Sequence, residues 1–179
     1  MSEETPKLHP QTAALHAGYS PDPTTGSRAV PIYHTTSYVF KDADHAANLF
    51  ALKEFGTIYT RIMNPTQAVL EEKVAALEGG TAALAVASGH AAQLLIFHTI
   101  MQAGENFIAS KRLYGGSSNQ FGQAFKNFDW QVHWADMDDA DAVEAQIDDK
   151  TKAIFCESLA NPGGVITDIE KIAAIAHKH

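Results

Sequence analysis

From Thr66 onward, short apolar runs alternate with helical patterns, and that alternation limits the fold more than any other feature of the chain. Gln67–Glu78 carries Leu70, Val74 and Leu77 at helical spacing and is closed by Gly79-Gly80. Ala82–Val86 then has the pattern of a buried strand, Ala91–Gln102 that of a helix with Gly104 after it, and Asn106–Ala109 that of a short strand. Asn119–Phe128 predicts a helix, Gln131–Trp134 a strand, Asp139–Ile147 a helix and Ala153–Cys156 a further strand. Thr167-Asp168-Ile169-Glu170 has the capping-box form and opens a helix that runs into His179. Strands joined by helical crossovers require a parallel sheet, so the expected class is α/β.

Residues 1–62 do not share this pattern. Pro6, Pro10, Pro21, Pro23, Gly26 and Pro31 punctuate them, and only Ala43–Lys53 suggests a helical turn or two. They read as an extended arm (1–62) ahead of an α/β segment (63–179). A polar, proline-studded stretch of this length either lacks order or lies against another surface.

Charge and composition exclude several classes of function. A formal net charge of −8, with no basic run longer than Lys111-Arg112, argues against a nucleic-acid partner. The opening MSEETPKLHP has no secretory pattern, and the apolar stretch at Ala82–Val86 is cut by Ser88-Gly89-His90 well short of a membrane span. The single cysteine, Cys156, leaves no internal disulfide and reads as an inert thiol in an apolar strand. A cytoplasmic protein with neither nucleic acid nor membrane as partner is expected. The histidines follow no ligand spacing, so no metal is expected either.

Four short tracts carry candidate chemistry. In ALAVASGHAAQLL an apolar run enters Ser88-Gly89-His90 and a helix comes at once. A helix start presents unpaired N–H groups and roughly half a positive charge, and Gly89 lets an anion approach the backbone. It is either a phosphate cradle or an ordinary strand-to-helix turn. Tyr59 and Arg61 flank one residue, so in an extended segment they face the same way. A phenol and a guanidinium together suit a phosphate dianion; alone, they are equally a half-buried Tyr and an exposed Arg. In RLYGGSSNQF, Tyr114 stands beyond a strand end, where open α/β sheets place ligands, and is a ring-stacking residue or a surface aromatic. In FCESLANPGG, Glu157 and Asn161 stand past another strand and either touch a ligand or shape the turn.

Taken together, these tracts resemble the Cys/Met-metabolism family of pyridoxal 5′-phosphate (PLP) enzymes. The resemblance runs through LHAGYSPDPTTGSRAVPIYHTTSYVF, YTRIMNPT, ASGHAA, LYGGSSNQF and ESLANPGG, nearly the whole chain. Met63, His90 and the YGGSSNQF tract look most like the O-acetylhomoserine sulfhydrylases, whereas methionine γ-lyases usually carry a cysteine where Gly115 stands. The resemblance implies the aspartate aminotransferase-like large domain, incomplete here, preceded by the arm. It implies γ-replacement on O-acetyl-L-homoserine by sulfide or a thiol. Cystathionine γ-synthase, methionine γ-lyase, or a catalytically silent chain acting in subunit association are the alternatives.

The resemblance also implies roles for single residues. Tyr59 and Arg61 would grip the phosphate of a neighbouring subunit's PLP, with the arm wrapping that partner. Gly89 and His90, with Ser88 beside them, would bind the phosphate of their own subunit's PLP. Tyr114 would stack on the ring and assist proton transfer, Asn161 would lie near the 3′ oxygen, and Glu157 would stand in the pocket wall. A homo-oligomer with shared active sites, a dimer of dimers, is implied as well. No Ser-x-x-Lys occurs, so the Schiff-base lysine of the family is absent. These 179 residues therefore resemble the amino-terminal part of a longer chain, inactive alone.

Overall fold

A computed structural model describes residues 8–179; the first seven residues of the expected arm lie outside the described residues. The chain forms two compact units that divide between Ala85 and Val86. In the first unit part of the expected arm folds onto the first long helix. Helix α1 (Pro10–His16), for which no helix was expected, packs against α3 (Pro65–Glu78). Its start is nonetheless written locally: proline stands in the first turn, and the His9 ring accepts the Gln11 N–H. The chain then passes α3 at Gly18, where a Cβ would lie 2.6 Å from the Val69 carbonyl oxygen.

Helix α2 (Ala43–Phe50) falls where a turn or two was expected, capped by the Asp42 carboxylate on the His45 N–H at 2.7 Å. Helix α3 ends as its glycines require, with Gly79 left-handed at φ 68°. Its Leu70–Val74–Leu77 stripe is exposed, and the buried residue is Ala75. Ala82–Val86 has no regular secondary structure and is not a strand. Strand identity needs a ladder, and among the described residues this segment has no partner. Instead the Ala85 N–H donates to the Glu71 carboxylate at 2.8 Å, and Leu84 is exposed.

The second unit is an α/β layer. Helix α4 (Gly89–Ile100) leads to β1 (Asn106–Ser110), α5 (Gly115–Gly122), a 3₁₀ turn (Ala124–Phe128) and β2 (Gln131–Ala135). Helix α6 (Ala140–Glu144), β3 (Thr151–Phe155) and α7 (Ile169–Lys178) complete it. The strands form a parallel sheet in the order β2-β1-β3. Central β1 is buried along its whole length, as a strand covered on both faces must be. Phe107 and Ala109 face one aromatic-rich cluster with Phe97, Phe121, Phe125 and Trp130. Ile108 points the other way, into a cluster with Ala135, Val143 and Ile172.

Two expected boundaries move. The helix expected over Asn119–Phe128 is split and starts earlier, at Gly115, because the glycine pair after Tyr114 opens a helix and does not merely turn the chain. The cap of α7 is Asp168, whose carboxylate accepts the Lys171 N–H at 3.1 Å, not Thr167. The Thr167 hydroxyl is already committed, donating to the Glu157 carbonyl at 2.8 Å. Among the described residues no helix is long and apolar enough to cross a membrane.

Candidate functional site

In the first unit the Tyr59–Arg61 tract is a turn, not an extended segment. The Ile62 and Met63 N–H groups both donate to the Tyr59 carbonyl. The two side chains meet all the same: the Arg61 guanidinium lies 5.6 Å from the centre of the Tyr59 ring, within cation–π range. The motif downstream explains the turn. Buried Asn64 caps α3 by accepting the Thr66 N–H, and its amide donates to the Tyr33 carbonyl at 2.9 Å. The Thr66 hydroxyl donates to the Pro31 carbonyl at 2.8 Å, so Asn64-Pro65-Thr66 ties residues 31–33 to the start of the helix. Tyr59 and Arg61 line an open cavity of about 340 Å³ with Tyr38, Phe40, Phe50 and Ile58.

In the second unit, Ser88 is extended (φ −164°) and its hydroxyl accepts the Ala91 N–H at 3.1 Å. The Ala92 N–H donates to the Ser88 carbonyl. The N–H groups of Gly89 and His90 have no partner among the described residues, and nothing lies within 4 Å of where a Gly89 Cβ would be. Two free donors, a helix dipole and open space are the features that an anion would need at this helix start.

The carboxyl ends of β1 and β3 bring up the rest. Tyr114 begins α5 with its ring half exposed, 6.0 Å from the His90 ring centre to centre. Two glutamines bind α5 to α4: the Gln93 amide donates to the Ser117 hydroxyl at 2.9 Å and the Gln120 amide to the His90 carbonyl at 3.0 Å. Glu157 and Asn161 stand beyond β3. One oxygen of Glu157 accepts the Tyr114 N–H at 2.8 Å and the other accepts the Asn161 N–H at 2.9 Å. The second unit thus collects Ser88, Gly89, His90, Tyr114, Glu157 and Asn161, while Tyr59 and Arg61 belong to the first. Gln93, Ser117 and Gln120 were not anticipated from the sequence; the only signal for Ser117 and Gln120 was a run of small polar residues after Tyr114, and Gln93 had none.

Cys156 lies just past β3 and is about half buried, and desolvation raises its thiol pKa. Since the thiolate is the nucleophile, Cys156 is expected to react with iodoacetamide at neutral pH several-fold more slowly than a free cysteine peptide. Peptide-resolved mass spectrometry of the time course checks this.

The donor set fits a phosphorylated aromatic cofactor: neutral N–H groups at a helix start for the phosphate, and a half-exposed tyrosine ring to lie on a flat heterocycle. Comparison with known proteins gives the same direction. The sequence profile of the Cys/Met metabolism PLP-dependent enzymes matches residues 11–179. An O-acetyl-L-homoserine sulfhydrylase of Leptospira meyeri is 53% identical over 93% of this chain and 38% of its own length. An O-acetyl-L-homoserine sulfhydrylase of Thermus thermophilus is 54% identical over 94% of this chain and 40% of its own. A crystal structure from Campylobacter jejuni, described as an O-acetylhomoserine (thiol)-lyase with a pyridoxyl-lysine monophosphate, superimposes with a TM-score of 0.91 at 44% identity, covering 96% of this chain and 42% of that one. The chain spans about two-fifths of the length of these relatives. Motif, fold and profile agree, and the chain belongs to the family of Cys/Met-metabolism PLP-dependent enzymes.

Proposed function

We propose that the full-length protein is a PLP-dependent O-acetylhomoserine sulfhydrylase. The C–O bond at Cγ of O-acetyl-L-homoserine breaks, acetate leaves, and the sulfur of sulfide or a thiol bonds to that carbon to give homocysteine or its thioether. The observation that carries the cofactor reading is the pair of unpartnered N–H groups at Gly89 and His90, open to an anion and flanked by the Tyr114 ring. The sulfhydrylase relatives favour this reaction over the synthase and lyase alternatives.

When bound, PLP supplies an electron sink for charge developed on the substrate. The chain's own residues bind and orient. Gly89 and His90 would donate their N–H groups to the phosphate, with Ser88 holding the helix start in place. Tyr114 would lie against the cofactor ring, and its phenol would hold or pass a proton near the leaving acetate. Asn161 and Glu157 would line the same pocket. Tyr59 and Arg61 reach the phosphate of a neighbouring subunit, which makes the protein a homo-oligomer, with a dimer of dimers as its full form. An acidic chain with a sheltered thiol and no membrane-crossing helix among the described residues suits the cytoplasm.

The full-length protein, supplied with PLP, O-acetylhomoserine and sulfide, is expected to release homocysteine and acetate. Cystathionine formed from cysteine in preference to homocysteine from sulfide reassigns it to a synthase. α-Ketobutyrate from methionine, with no homocysteine made, reassigns it to a lyase.

A further inference from the structure

One carboxylate joins two loops that lie far apart in sequence. Glu157 accepts the backbone N–H of Tyr114, 43 residues earlier, and that of Asn161, one on each oxygen. Its own backbone is pinned in turn. The Thr167 hydroxyl donates to the Glu157 carbonyl at 2.8 Å and the Thr167 N–H to the Ser158 carbonyl at 3.1 Å. The Asn161 loop is closed beneath it by the Ala160 N–H on the Val165 carbonyl at 2.8 Å.

We propose that Glu157 is the positioning residue of this site, a brace that sets the Tyr114 ring and the Asn161 loop against the α4 helix start. This rests on the reading that the site holds PLP. Tyr114 is the cap residue of α5 and has no side-chain cap of its own; the amide that Glu157 accepts is therefore what holds the entry to that helix. A carboxylate at a helix amino end is also favoured by the helix dipole. The residue type is set by the task. The two amides approach different oxygens of the side chain, and only a carboxylate presents an acceptor at both positions. Glutamine keeps the shape but turns one position into a donor facing a donor. Aspartate keeps both acceptors but is one methylene too short to reach both amides.

The test uses the full-length protein with PLP. For Glu157→Gln we expect a cofactor still bound but with altered visible-region circular dichroism, and kcat lowered about 100-fold with KM changed far less. Glu157→Asp should fall between this variant and the parent. A residue that merely supports the fold would shift the melting temperature and leave the dichroism band of the folded fraction as in the parent. Parent-like dichroism and kcat in Glu157→Gln overturn the proposal. Should either variant fail to fold, hydrogen exchange of the parent decides: the Tyr114 and Asn161 amides should exchange slowly although neither lies in a strand ladder, and fast exchange at both overturns the proposal. A parent protein that shows no visible band with PLP refutes the cofactor reading itself, a distinct outcome.

Discussion

Gly116→Ala in the full-length protein is expected to lower kcat about 100-fold while leaving the melting temperature unchanged or slightly higher. A Cβ at residue 116 would lie 2.7 Å from His90 Cε1 and 2.8 Å from His90 Nε2, and closer still to the Tyr114 ring. Real methyl groups do not occupy such positions, so the two rings must swing aside. Both rings are exposed on their outer side and can do so at small cost to the fold. Gly116 also sits in the first turn of α5, where alanine improves helix formation by up to roughly 1 kcal/mol. Stability and activity are thus pushed in opposite directions by one methyl group. Steady-state kinetics beside a thermal melt checks this: a parent-like kcat would mean that the Tyr114–His90 arrangement has no part in the chemistry.

Phe121→Ala should strongly destabilise the second unit, by about 3–5 kcal/mol. Phe121 is fully buried, with ring centres 5.2 Å from Phe107, 5.2 Å from Phe125 and 4.9 Å from Phe155. Three of its four aromatic contacts are edge-on, the geometry that aromatic quadrupoles favour. Removing the ring opens a cavity between α5 and the sheet that neighbouring rings cannot close without leaving their own partners. Against a native stability of about 5–15 kcal/mol, such a loss takes a large share. Urea denaturation followed by tryptophan fluorescence, with Trp130 in the same cluster, measures it. A loss below about 1 kcal/mol would show that the cluster repacks freely.

What could be read from the residues divides by range. The turn into a helix at Ser88-Gly89-His90, Gly79 as a helix stop and the three strands of the sheet were legible because glycine turns and apolar runs act over a few residues. Ala82–Val86 has a strand's composition yet is unpaired, since composition cannot supply a ladder. The Leu70–Val74–Leu77 stripe has the right spacing yet is exposed, because spacing does not say what covers a face. Thr167 and Asp168 are both competent caps, and the choice between them was made by Glu157, ten residues away. Within the candidate site, residue identities were legible as motifs. The Glu157 bond to Tyr114 and the two glutamine ties were not, because each joins residues more than twenty positions apart.

The cradle at the head of α4 has a consequence for how such a chain tolerates drift. Its donors are main-chain groups, so exchanging one side chain for another at residues 89 and 90 leaves the count of donors as it was. Proline alone subtracts one, and at residue 89 both the first helical turn and the extended Ser88 before it would accept that ring. A gene could therefore lose one of the two donors there through a change that the fold itself never registers.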